Sequence, residues 1–75
     1  MESVELKMRD LNGEFPFVYT KKIVALLGEP ELSVEVKAGQ PSEEMPNLLE
    51  SLGYQVTARK EMDGWILMKA VKAKN

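Results

Sequence analysis

"VELKMRDLNGEFPFVYTKKIVALLGEPELSVEVK", residues 4–37, changes its apolar period twice. At its start Val4, Leu6 and Met8 alternate with Glu5, Lys7 and Arg9, and a period of two places the two sets on opposite faces of a half-buried strand. Asn12-Gly13 then signals a turn, and Pro16 suits the first turn of a helix, where its missing N–H costs nothing. Beyond it Tyr19, Ile23, Leu26 and Leu27 recur at i, i+4, i+7 and i+8 with Val24 beside them, until Gly28 and Pro30 stop the helix. In "ELSVEVKA" the period returns to two, with Leu32, Val34 and Val36 inward and Ser33, Glu35 and Lys37 outward. The stretch reads as strand, helix, strand.

The rest of the chain extends this pattern. After the Gly39-Gln40-Pro41 break, Met45, Leu48, Leu49 and Leu52 form the apolar stripe of a second helix; Glu43 and Glu44 favour its positive end, and Gly53 reads as its C′ residue. Pro46 has no N–H for a helix interior, so the continuous helix is expected to begin near Met45, with Ser42 to Glu44 as a preceding turn. "YQVTARK" and "GWILMKAV" read as two further strands, joined through Glu61, Met62, Asp63 and Gly64 by the Asp-Gly chemistry of a tight hairpin. The order is βαβαββ. This predicts a single α+β domain over residues 1–75: a two-layer α/β sandwich with two helices on one face of a four-stranded mixed sheet. Val4, Leu6, Ile23, Leu27, Val34, Val36, Leu48, Leu52 and Val56 are expected in the core. Glu5, Lys7, Arg9, Glu35, Lys37, Thr57 and Arg59 are expected on the solvated sheet face. The five glycines all fall at element boundaries and read as turn chemistry rather than as a phosphate-cradling loop.

Composition narrows the chemistry. At 75 residues the chain makes one small core, burying roughly 60% of the surface that the unfolded chain exposes. With 44% hydrophobic and 29% charged residues it has the balance of a globular protein, and no apolar run approaches the ~18 residues of a membrane span. "MESVELKMRD" alternates charge with apolar residues and offers no signal or transit segment, so a cytoplasmic location is expected. The chain has neither Cys nor His, which removes thiol chemistry, thiolate or imidazole metal sites and imidazole acid–base catalysis together. No cofactor is implied. The carboxylates are scattered, with no pair spaced for acid–base work, so an enzyme is not expected. A net charge of -2 argues against sequence-independent attraction to nucleic acid. Its basic clusters are Lys21 with Lys22, Arg59 with Lys60, and the tail Lys69, Lys72 and Lys74. The methionines Met1, Met8, Met45, Met62 and Met68 read mainly as adaptable core filling.

Several motifs, in order, resemble those of the TusA/SirA family of small sulfur-carrier proteins. That family follows its first strand with an Asp-Leu-x-Gly turn and then a Cys-Pro-x-Pro motif; here stand Asp10-Leu11-Asn12-Gly13 and Phe15-Pro16-Phe17-Val18. Glu44-Met45-Pro46 resembles the acidic-apolar-Pro triplet that opens the family's second helix. Leu52-Gly53-Tyr54 is similar to that helix's end, and "DGWILMKA" to the last strand. The resemblance runs from about Val4 to Ala70. It implies a partner in a sulfur relay or a redox system and a site at the turn formed by Phe15, Pro16 and Phe17. The departures lie at the site itself: Phe15 occupies the position of the family's Cys, the spacing from the glycine is one residue shorter, and Val18 stands in for the second Pro. A phenyl ring carries no sulfane sulfur. The expectation is a non-catalytic, TusA/SirA-like protein-binding module. Pro16 and Gly13 are expected to keep the turn's geometry, with the N–H groups of Phe17 and Val18 directed at residue 15.

Phe15, Phe17 and Tyr19 are either ordinary core at a strand–helix corner or an aromatic contact surface, and Lys21 and Lys22 are either a solvated face or a site for an anionic partner. Trp65 and Leu67 fall on the outward side of the last strand, leaving large apolar area exposed unless the tail covers it. A second contact through Trp65, Lys21 and Lys22 follows as a candidate. The alternative is a small RNA-binding domain, since the βαβαββ order also resembles the C-terminal domain of translation initiation factor three. Lys7, Arg9, Lys37, Arg59 and Trp65 would then share the sheet face, with Glu5 and Glu35 opposing phosphate there.

Overall fold

The computed structural model describes residues 4–73; Met1 and Lys74 lie outside them. The order is β1 (Val4–Met8), α1 (Phe15–Leu27), β2 (Glu31–Lys37), α2 (Gln40–Ser51), β3 (Tyr54–Glu61) and β4 (Trp65–Lys72). The four strands form one mixed sheet in the order β1-β2-β4-β3. β1 and β2 run parallel, and β4 is antiparallel to both its neighbours. This is the expected α+β fold.

Pairing sets the inward side chains in rows across the sheet. Leu6, Val34 and Met68 form one row, Met8, Val36 and Ile66 the next, and Val4, Leu32, Ala70 and Val56 a third. α2 lies against β2, β3 and β4, with α1 beside it. Met45 and Leu49 of α2 are fully buried, as are Met8, Val34, Val36 and Met68 beneath. Three methionines thus meet at the middle of the core, where an unbranched, polarizable side chain fills irregular space. Thr20 of α1 is buried with its Oγ1 3.4 Å from the Met8 sulfur and 4.0 Å from that of Met45. A hydroxyl has one proton, and here the Pro16 carbonyl takes it at 2.7 Å, so the sulfurs act as packing neighbours.

Three expectations are corrected. α2 does not wait for Met45: it begins at Gln40, with Pro41 in its first turn and Pro46 inside it. Pro46 has no N–H to give the Ser42 carbonyl, yet Met45 and Leu49 on either side are both fully buried, and that packing overrides the local preference. Gly39, at φ 106° and ψ -143°, makes the entry; its carbonyl accepts the Glu43 N–H at 3.0 Å and the Ser42 hydroxyl at 2.9 Å.

The second correction concerns α1, which is rotated from the predicted stripe. Its inward line is Pro16 and Thr20, both buried, with Phe17, Ile23 and Val24 half-buried against the core. Leu27, expected in the core, is 53% exposed, and Leu26 is 78% exposed. Third, the register of β3 shifts between Val56 and Ala58. The bulge pairs Arg59 with the inward-facing Met68, so Arg59 stands on the helix side of the sheet, still exposed, rather than on the opposite face where simple alternation puts it. Of the other expected core residues, Leu6, Val34 and Val36 are buried, while Val4, Ile23, Leu48, Leu52 and Val56 are partly buried against them.

Candidate functional site

The candidate turn begins where β1 ends. Leu11 N–H donates to the Met8 carbonyl and Phe15 N–H to that of Asn12, both at 3.2 Å; Gly13 takes a left-handed φ of 61°, a conformation that a Cβ disfavours. α1 then starts with Pro16 buried and Phe15 68% exposed. Phe17 is half-buried against the core. Of the two readings of the aromatic pair, each holds for one ring: Phe17 packs inward and Phe15 faces solvent.

The helix entrance is electrostatically closed. The N–H groups of Phe17 and Val18 both donate to the Glu14 carbonyl at 3.0 Å, rather than pointing at residue 15. With Phe15 N–H held by Asn12 and Pro16 having none, the donors of the first turn are already used. The turn has a glycine strand exit and a proline in the first helical turn, without open donors for an anion.

Two concavities flank α1. On its outer side, Leu11, Phe15, Val18, Tyr19 and Lys22 line an apolar depression of about 320 Å³. On its inner side, Phe17 and Leu48 floor an open groove of about 400 Å³ between the helices, rimmed by Lys21, Glu44 and Asn47. The candidate lysines are thereby separated, Lys22 going with Phe15 and Lys21 with Phe17. Val18 and Tyr19 are 46% and 44% exposed, so the outer depression continues a face that runs on to Leu26. Sequence reasoning placed Tyr19 and Leu26 on one stripe with Ile23 and Leu27, weighed Tyr19 also as part of a contact surface, and did not join it with Val18 and Leu26 into this face. The signal was present: of the thirteen residues of α1 only Thr20, Lys21 and Lys22 lack a largely apolar side chain, so more than one face of the helix is apolar.

Trp65 is on the other side of the molecule. It lies on the open sheet face with the Arg9 guanidinium 4.3 Å from its ring centroid, a cation–π stack. Arg9 Nε also sits 3.1 Å from Glu35 Oε1, an ion pair at contact distance, although this carboxylate oxygen accepts no well-aligned hydrogen bond. Thus Arg9 covers Trp65; the end of the tail lies outside the described residues. Elsewhere on this face Lys7 lies 3.7 Å from Glu5, and Lys37 Nζ donates to Asn12 Oδ1 at 2.5 Å. Trp65 and Phe15 therefore do not belong to one surface.

At the far end of the sheet Tyr54 is buried and its hydroxyl donates to the Glu29 carbonyl, tying the start of β3 to the loop before β2. Burial, and then the Glu29 charge, push its phenol above the ordinary 10.0. Among the described residues no group of three or more acidic side chains is placed to hold a metal ion, and no helix is long and apolar enough to cross a membrane.

Comparisons with family models, with curated proteins and with solved structures returned no match.

Proposed function

We propose that the chain is a cytoplasmic, non-catalytic protein-binding module whose contact surface is the outer face of α1. The observation that carries this reading is the exposure of Phe15, Val18, Tyr19 and Leu26 along one side of α1. Scattered apolar residues on a surface are ordinary, whereas a contiguous patch marks an interaction site. The sequence resemblance to TusA/SirA sulfur carriers supports a protein of a sulfur relay or a redox system as partner. Without a thiol, this chain takes no persulfide in such a relay and acts by contact alone.

The nucleic-acid alternative draws less support. Its aromatic platform, Trp65, is already stacked under Arg9, and Arg9, Lys7 and Lys37 each have a partner on the same face; free bases stack on open rings and phosphates on uncommitted cations.

The test is affinity capture from the native cell with the wild-type chain, a Phe15→Glu/Tyr19→Glu variant and Trp65→Ala. A protein held by the wild type and by Trp65→Ala but lost with the α1 variant is the expected result. Capture that does not change in the α1 variant removes α1 as the contact surface.

A further inference from the structure

A helix that is apolar on most sides is ordinarily buried on most sides. α1 is largely apolar on more than one side, yet only one face packs on the core, through Pro16, Thr20, Ile23 and Val24, and a second face, roughly opposite, is open. Phe15, Val18, Tyr19, Lys22 and Leu26 follow the spacing i, i+3, i+4, i+7 and i+11, which is one stripe of a helix. Resting on the protein-binding reading above, we propose that the occupant of this stripe is α1 of a second copy of the chain, packed antiparallel across a twofold axis at Val18.

Charge placement argues for this partner. α1 itself carries Lys21 and Lys22 and no acidic residue, while Glu14 stands just before it. Val18 is near the midpoint of the patch from Leu11 to Leu26. Glu14 lies one helical turn before it and Lys22 one turn after, since four residues rise ~6 Å. Antiparallel pairing about Val18 therefore brings each Glu14 opposite the Lys22 of the other copy, twice by symmetry. The same operation sets Leu11 beside Leu26 of the other copy and Val18 against Val18. Both charged residues are exposed, and the ion pairs among the described residues join Glu5 with Lys7 and Arg9 with Glu35, leaving Glu14 and Lys22 available. A membrane surface is the weaker fit, because the helices that lie on lipid carry a polar face rich in Lys and Arg, and this one has two.

The area is of the required order. An aromatic side chain carries ~150–250 Å², so with Phe15 68%, Tyr19 44%, Leu26 78% and Val18 46% exposed, the open apolar surface of the stripe is roughly 400 Å² per copy. That lies within the ~300–600 Å² range of the largest patch on a monomer. Two copies with their polar rims bury about 1,000 Å², the size of a weak, reversible interface. Dissociation in the range of roughly 10–100 μM is expected.

Sedimentation equilibrium of the purified chain, read against its 8.5 kDa mass, tests the proposal at concentrations up to roughly 500 μM. The wild type is expected to move towards twice that mass. Val18→Glu, which sets two carboxylates together at the axis, weakens association more than about tenfold. Glu14→Lys and Lys22→Glu each weaken it by about two- to fivefold at low salt, and the double charge exchange recovers the wild-type constant. Circular dichroism of each variant shows whether the fold is kept, as the exposure of all three sites requires. A wild type monomeric throughout overturns the proposal, as does a double exchange no better than the single ones. Binding of the monomer to vesicles with anionic headgroups in place of self-association also overturns it and assigns the stripe to lipid. A monomeric wild type whose cellular capture still depends on α1 defeats the self-pairing alone, whereas capture indifferent to α1 defeats the broader reading.

Discussion

Leu49 and Leu27 differ by environment rather than chemistry, so truncating each to alanine measures how the helices are seated. Leu49 is 0% exposed beneath α2. Removing three buried carbons at ~0.8 kcal/mol each forfeits about 2.4 kcal/mol of transfer free energy. A cavity between α2 and the sheet adds to this, giving roughly 3–4 kcal/mol within the usual 2–5. Leu27 is 53% exposed, so about half of the transfer term is at stake and no closed cavity forms, which gives about 1 kcal/mol. For a domain this small, total stability near ~5 kcal/mol makes Leu49→Ala marginally folded. In urea, with a slope of ~1 kcal/mol/M, the midpoint should fall by about 3 M for Leu49→Ala and by about 1 M for Leu27→Ala. Equal shifts would refute the reasoning. They would mean that Leu27 is packed as the i, i+4, i+7, i+8 stripe implies, and that the C-terminal end of α1 is seated on the core.

Other expectations follow from individual contacts. Tyr54 favours its neutral form in the fold, so its contribution is fully present below the unfolded value of 10.0 and is lost as pH rises through the higher folded value; the stability difference between wild type and Tyr54→Phe, followed by urea titration at pH 8–11, should be flat and then shrink, and a constant difference would contradict the raised phenol. Gly39→Ala meets open space but a φ of 106°, so strain alone should cost about 1–3 kcal/mol in a thermal or chemical melt, and a neutral result would place Gly39 elsewhere in φ. In Phe15→Cys, with the first-turn donors given to Glu14 and Asn12, only the macrodipole acts on an exposed thiol. Iodoacetamide alkylation against pH should therefore show a pKa no more than ~0.7 below the ~8.5 of free cysteine; a value below ~7 would reveal open N–H donors.

The strands were legible because alternation is a local signal that survives folding: Leu6, Val34 and Val36 are buried where period two puts them. Arg59 was not, because one extra residue at the bulge after Val56 reverses every later side chain of β3, and no single residue type announces a bulge. The start of α2 was misplaced for a different reason. Pro46 is a true local penalty, but the packing of Met45 and Leu49 outweighs it, and burial is not visible to a rule about one residue. The orientation of α1 failed through excess of signal. Pro16 and Thr20 do not look like core residues, yet both are buried, while Tyr19 and Leu26 look like core and are not. When a helix has apolar residues at most angles, periodicity gives its existence and length but no direction.

That ambiguity bears on the turn before α1. A sulfur-carrier turn depends on electrostatics, with a thiol held in the field of free N–H groups. Here every donor of the first turn is engaged, and residue 15 is a phenyl ring at 68% exposure. A buried phenyl would have made the turn ordinary core. An exposed one keeps apolar surface in water beside Val18 and Tyr19, without serving the packing of the monomer. Phe15 therefore extends the apolar stripe by one position at its N-terminal end. A persulfide anion avoids such a surface, whereas a neighbouring helix is stabilised by it. The proposal that the chain is a binding module therefore rests on the exposed ring of Phe15 as much as on the rest of α1.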